Sequence, residues 1–238
     1  MPAIIEADDD GMYVLKFRGA GQGRKALIAE LIAGEMARAA GLPIPEIVLV
    51  DLDPDLARTE PDPEIQHLIK ASGGINLALD YLPGSVTFDP VVQQPDSELA
   101  SAIVWFDAYI SNVDRTARNT NMLIWHKKLW LIDHGAALYF HHMGDNYVER
   151  SGSPFPQIKD HVLLPFANSL PETDGKMTAW FTTPGLIERI VNLIPEDWLT
   201  DDSSSKRSAQ ERRDAYVAYL LKRLESPRAF VEAAIHAR

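Results

Sequence analysis

The polar run Asn112-Val113-Asp114-Arg115-Thr116-Ala117-Arg118-Asn119-Thr120-Asn121 follows a strongly apolar segment. It leads into Met122-Leu123-Ile124-Trp125, a turn at His126-Lys127-Lys128, and Leu129-Trp130-Leu131-Ile132-Asp133-His134-Gly135. The two apolar tetrads around a short polar turn predict a hairpin. A polar loop thus presents Asp114, with Asn119 and Asn121 downstream, and the hairpin delivers a second carboxylate, Asp133, backed by glycine. Asp and Asn are ordinary turn residues, so each alone is explained by a loop. The ordered set has a chemical reading: one carboxylate to orient or deprotonate a hydroxyl, and an amide oxygen plus a second carboxylate to hold a hard cation.

Upstream of this stretch, Asp96 or Ser97 is placed to cap a helix running to about Ile110, with Leu99, Ile103, Phe106 and Ile110 in one stripe. Ala102, Trp105 and Tyr109 widen the stripe, which predicts a helix central to the core. The N-terminal region reads as strands around one helix. Ala3–Glu6 and Met12–Phe17 flank the acidic turn Asp8-Asp9-Asp10-Gly11, a hairpin pattern. A glycine loop, Gly19–Gly23, precedes a helix from Arg24 to about Ala40 that Gly41 and Pro43 terminate. Ile47–Val50 and Ile75–Leu82 read as further strands, the acidic and proline-rich residues 51–66 as a surface loop, and Pro83-Gly84 as a boundary. Lys16 ends an apolar strand, where a buried ammonium requires an anion. Glu30, amid Leu27, Ile28 and Leu31, is the carboxylate placed to meet it, and Glu35 is the bystander.

Beyond the hairpin, residues 141–178 read as irregular. Helices are expected over 184–194, about 204–225 and 227–237, the last with Ser226 as cap and Pro227 in its first turn, and 201–205 as a linker. Trp125 and Trp130 are expected to pair across the hairpin in the core. His134, His141 and His142 with Asp133 or Asp145 offer a transition-metal reading, which their spacing does not favour. Arg115 and Arg118 either steer an anion or pair with nearby carboxylates.

Composition bounds the function. The chain has 238 residues, 23 basic and 34 acidic, a net charge of −11 and no cysteine. Thiolate metal sites, disulfides and a cysteine nucleophile are excluded. The acidic balance argues against nucleic-acid binding. No apolar run reaches membrane-spanning length, and the acidic N-terminus does not read as a signal peptide, so a cytoplasmic location is expected.

The spacing Asp114–x4–Asn119, with Asp133-x-Gly135 one hairpin later, matches the kinase catalytic and metal-binding loops, and Val14-Leu15-Lys16 matches the strand bearing the kinase lysine. Tyr13–Phe17, Ala29-Glu30-Leu31 and Met36–Glu46, together with Asn112–Asn121 and Leu131–Gly135, resemble the HipA-like kinases, a branch of the protein-kinase-like fold. The resemblance implies an α+β, two-lobed protein-kinase-like fold: a sheet-plus-helix N-lobe over 1–82 and a mainly helical C-lobe over 83–238. It implies an ATP- and Mg2+-dependent phosphotransferase acting on a hydroxyl of an unidentified protein or small-molecule acceptor. Lys16 would contact the nucleotide phosphates and Glu30 would pair with it. Asp114 would be the catalytic aspartate, Asp133 a magnesium ligand, and Asn121 or Asn119 the amide ligand. Asp80, Tyr81 and Leu82 would form the hinge that meets adenine. One departure stands out: no glycine-rich loop precedes Lys16, and the glycine loop follows it. A non-catalytic kinase-like binding module is the competing expectation.

Overall fold

The polypeptide is described from a computed structural model that covers residues 2–21, 23–142, 147–200 and 207–238. Two antiparallel sheets organise it. The first contains β1 (Pro2–Glu6), β2 (Met12–Lys16), β3 (Ile47–Leu52) and β4 (Gly74–Asp80) in the order β1-β2-β4-β3. Side chains alternate across such a strand, so Val14 and Lys16 share one face and Leu15 takes the other. Lys16 lies opposite Leu77 of β4, and Leu15 opposite Ala78. The Lys16 face receives α1 (Arg24–Ala39), whose buried side includes Leu27, Leu31, Ile32 and Met36 and also Glu30. The opposite face buries Leu15, Phe17, Leu52 and Ala78 beneath Leu68 and Ile69 of α2 (Pro63–Ala71).

That helix corrects the expectation of a loop over 51–66. Asp62 accepts the backbone N–H groups of Glu64 and Ile65, and Pro63 occupies the first turn. Cap and proline together start a helix that composition alone disguises as loop.

The second sheet is β5 (Val86–Thr87), β6 (Met122–Trp125) and β7 (Lys128–Leu131), in that order. The hairpin turn is His126-Lys127, one residue shorter than expected. Both residues adopt positive φ, 46° and 64°, as a two-residue turn matching strand twist requires. Trp130 therefore lies opposite Leu123, and its contact with Trp125 is diagonal, at 5.6 Å between ring centres. Both tryptophans are only half-buried, so the pair is not the core element expected.

The central helix is α3 (Ser97–Tyr109), capped by the Asp96 carboxylate on the Leu99 N–H. Against it pack α4 (Leu170–Phe181) and α8 (Ala229–Ala237), and α7 (Ala209–Arg223) bonds to Tyr109, while α5 (Leu186–Val191) and α6 (Glu196–Thr200) pack on α1 and α7, which completes eight α-helices among the described residues. Among the described residues of the stretch expected as irregular over 141–178, there are four short 3-10 turns and α4. The described end of the region expected as helix from about 204 is α7, which starts only at Ala209, where Ser208 and Glu211 close a reciprocal cap. The expected linker over 201–205 lies outside the described residues. Ser226 and Pro227 do not open α8, which begins at Ala229.

A single cluster of buried apolar side chains joins α1 to α3 and the C-terminal helices. Trp105, Phe181 and Phe230 form its aromatic centre, with Trp105 stacked on Phe181 at 6.0 Å. No helix among the described residues is long and apolar enough to cross a membrane.

Phe181 is fully buried and anchors α4 on α3. Phe181→Ala is expected to lower unfolding stability by about 3–5 kcal/mol in urea titrations. A loss below about 1 kcal/mol would contradict the docking of α4 on the core.

Candidate functional site

At the C-terminal end of β2 the Lys16 ammonium meets two carboxylates. Its Nζ lies 2.6 Å from Glu30 Oε2 and 2.6 Å from Asp133 Oδ1. Glu30 is buried in the second turn of α1, so the helix carries its charge into the interior only where the strand supplies a cation. Glu35 faces elsewhere and pairs with Arg38 on its own helix. Burial pushes the Lys16 pKa down, but the charges of Glu30 and Asp133 outweigh it and hold the ammonium above its usual range. Partial desolvation raises Asp133, and Lys16 opposite it more than compensates, so its carboxyl titrates below the usual carboxylate range.

Lys16 and Asp133 line a cleft of about 280 Å³, with Glu30 buried behind them. Its walls include Phe17, Ala20, Gly21 and Gly23 from the loop after β2, Ala26 and Leu27 of α1, and Gly135 and Ala136 beyond Asp133. The loop after the lysine, rather than the acidic turn before it, thus faces the cleft. Gly23 precedes α1 at φ 65°, and neither a side-chain cap nor an acidic residue occupies the first turn, which instead carries Arg24 and Lys25. Two cations and no acid in that turn make that end of the helix electropositive.

Asp114 lies in the loop between α3 and β6. Its Oδ2 accepts the Asn119 side-chain amide at 2.8 Å and the Asn121 amide at 3.2 Å. The two asparagines left open by spacing are therefore brought to one carboxylate oxygen. Asn121 and Asp133 bracket the hairpin, joined through the backbone bond from the Ile132 N–H to the Asn121 carbonyl. Both adopt left-handed backbone, φ 47° and 56°, a conformation that Asn and Asp tolerate better than most residues. Asp80, Tyr81 and Leu82 do not line the Lys16 cleft: Asp80 is exposed, Leu82 is buried, and the backbone N–H groups of Asp80 and Tyr81 are bonded to Glu46 and Met12.

Arg115, open between anion steering and pairing, points inward with its side chain fully buried and bound to Asp107 of α3. Its guanidinium also reaches the Asn121 carbonyl and His134 Nε2. Asp107 further accepts from Asn112 and from His161 Nε2 at 2.9 Å. Sequence reading passed over Asp107 and His161. The signal for Asp107 was a carboxylate within an otherwise apolar helix face, which must be paired. For His161, 27 or more residues from the other members, no local signal exists.

The transition-metal reading finds no support among the described residues. Among the described residues no group of three His, Cys, Asp or Glu side chains is placed to hold a metal ion. His134 faces Arg115, while His141 and His142 face each other, with His141 also bonded to Tyr216. Asp145 lies outside the described residues. Of the expected magnesium ligands Asp133 lines the cleft, and its carboxylate with the amide oxygens of Asn119 and Asn121 is a set of hard donors of the kind that suits magnesium.

Burial and the Arg115 charge push the His134 pKa down to about 3. Burial also lowers His161, against the pull of Asp107, and lowers His141. The unfolded chain therefore binds protons below about pH 6.5 that the fold refuses, and stability falls as pH drops from there. Each such histidine contributes up to about 1.4 kcal/mol per pH unit. Urea midpoints should fall steadily from pH 7 to pH 5, and a flat profile over that range would contradict neutral burial of these rings.

The model of the HipA-like kinase family matches residues 1–232, nearly the whole chain, and so covers both the Lys16 cleft and the Asp114 loop. No curated protein and no solved structure gave a significant match. On the extent of that match, the chain belongs to the HipA-like kinase family.

Proposed function

We propose that the protein is an ATP- and Mg2+-dependent phosphotransferase that moves the γ-phosphoryl group of ATP to a hydroxyl of a protein or small-molecule acceptor. The carrying observation is Lys16, held at 2.6 Å from both Glu30 and Asp133 on the floor of a cleft walled by glycine backbone. We further propose a two-lobed kinase-like arrangement, with residues 1–82 as the nucleotide-binding lobe and 83–238 as the lobe bearing Asp114 and Asp133.

In this reading Glu30 aims the Lys16 ammonium at the nucleotide phosphates. The phosphate oxygens lie against Gly21 and Gly23 of the cleft wall and the electropositive start of α1, in place of the missing upstream loop. Asp133 with Asn121 or Asn119 would hold magnesium, which when bound neutralises charge on the phosphate oxygens. Asp114 accepts the proton of the acceptor hydroxyl as its oxygen attacks the γ-phosphorus and the bond to the bridging oxygen of ADP breaks. The amides of Asn119 and Asn121 orient the Asp114 carboxylate for that task.

The two aspartates then separate by variant. Asp133→Asn is expected to weaken Mg2+-dependent ATP binding by about tenfold or more in thermal-shift titrations run with and without magnesium. Asp114→Asn is expected to bind Mg-ATP like the parent while phosphoryl transfer from labelled ATP falls by at least about 100-fold. If both variants bind like the parent and the parent neither turns over ATP nor phosphorylates itself, the phosphotransferase reading fails and a binding module takes its place.

A further inference from the structure

The polar cluster beneath the Asp114 loop is more connected than burial of a single ion pair requires. Arg115 uses three separate nitrogens: Nε on Asp107 Oδ2, Nη1 on the Asn121 carbonyl, and Nη2 at 3.0 Å from His134 Nε2. Arginine stays protonated, so His134 Nε2 must accept and its ring proton resides on Nδ1. Glu30 Oε1 lies 3.9 Å from that Nδ1, beyond hydrogen-bond distance. His161 is fixed in the opposite tautomer. Its Nδ1 accepts the Leu163 N–H at 3.0 Å, so its Nε2–H donates to Asp107. With both rings neutral, the buried charges balance as one carboxylate and one guanidinium.

The segments gathered by this pair are the ones that carry the two candidate carboxylates. Asn112 and Arg115 flank Asp114 and both bond to Asp107. Asn121, whose carbonyl Arg115 holds, opens the hairpin, and His134 directly follows Asp133. The loop is also tied downstream, through the Arg115 carbonyl and the Val162 N–H.

We propose that Asp107, Arg115 and His134 are positioning residues that fix Asp114 and Asp133 relative to each other from beneath the site. The inference rests on the phosphotransferase reading for its kinetic consequence, but the placement itself is a structural claim. The contact most open to a clean test is Arg115–His134, because His134 packs edge-on against Phe106 and a phenyl ring fills much the same space. His134→Phe removes the acceptor from Arg115 Nη2 and leaves Asp107–Arg115 intact. His134→Gln restores an acceptor, since its Oε1 reaches about as far as Nε2.

Kinetically, His134→Phe should lower kcat by about 10- to 100-fold, the range that small misplacements of reacting groups produce, with the KM for ATP within about threefold. His134→Gln should recover most of the loss. Independently of turnover, hydrogen exchange at amides 112–121 should quicken by about tenfold in His134→Phe and return toward the parent rate in His134→Gln, while α3 amides stay protected. Unchanged loop exchange in His134→Phe would overturn the proposal, as would a loss of kcat that Gln does not rescue. If the parent turns over no ATP, the phosphotransferase reading fails by itself. Exchange then decides the placement: quickened loops uphold it and unchanged loops end it.

Discussion

The Asp107–Arg115 ion pair is the constraint on which the site depends. Neither side chain has any exposed surface, so both charges are held where water cannot screen or replace them. Such a pair is worth little as net stability, because desolvating two ions offsets most of their attraction. Its value is geometric. Removing either partner leaves an uncompensated charge in the core, so the segments that converge on the pair are fixed in one arrangement. Burial raises the Asp107 pKa, but the charges of Arg115 and the nearby histidine contacts dominate and keep it ionised far below the usual carboxylate range.

A second buried charge system sits at the cleft and obeys a different logic. Glu30 is buried, whereas the Asp133 side chain is 53% exposed, so Lys16 bridges an interior carboxylate and a solvent-facing one. The inner contact anchors the lysine and the outer one is open to exchange for another anion. Gly135 lies against the same floor, where a Cβ would be in ordinary contact with Glu30 Oε2 at 3.5 Å. The C-terminal region also braces this end of the sheet. Arg18, at the start of the glycine loop, pairs with Asp197 at 2.7 Å, and the Trp198 indole donates to the Ile75 carbonyl of β4.

Much of this was legible in the sequence because the deciding signals are local. Alternating apolar residues around Asp8–Gly11 specified the first hairpin, and Gly41 with Pro43 ended α1 close to its observed limit. Position amid apolar neighbours distinguished Glu30 from Glu35 as the partner of Lys16. The misses are physical in kind. The helix α2 begins with Asp62-Pro63 inside a proline-rich run, where breaker composition masked a cap. Within α4, Pro171, Thr173, Asp174 and Gly175 give low intrinsic helicity, and it is docking of Phe181 on Trp105 that stabilises it. Arg115 was undecided because its direction is set by Asp107, one helix away, and by His161, brought in through tertiary structure alone.

The central claim is that the Lys16 cleft receives the phosphates of Mg-ATP. Its most direct test is an experimental structure of the full chain with magnesium and a non-hydrolysable ATP analogue. The account requires the phosphates to lie against the Gly19–Gly23 loop, with Lys16 still on Glu30 but released from Asp133 to a phosphate oxygen and the metal on Asp133. An analogue bound away from this cleft, or a Lys16–Asp133 bridge still closed beside bound nucleotide, would contradict it.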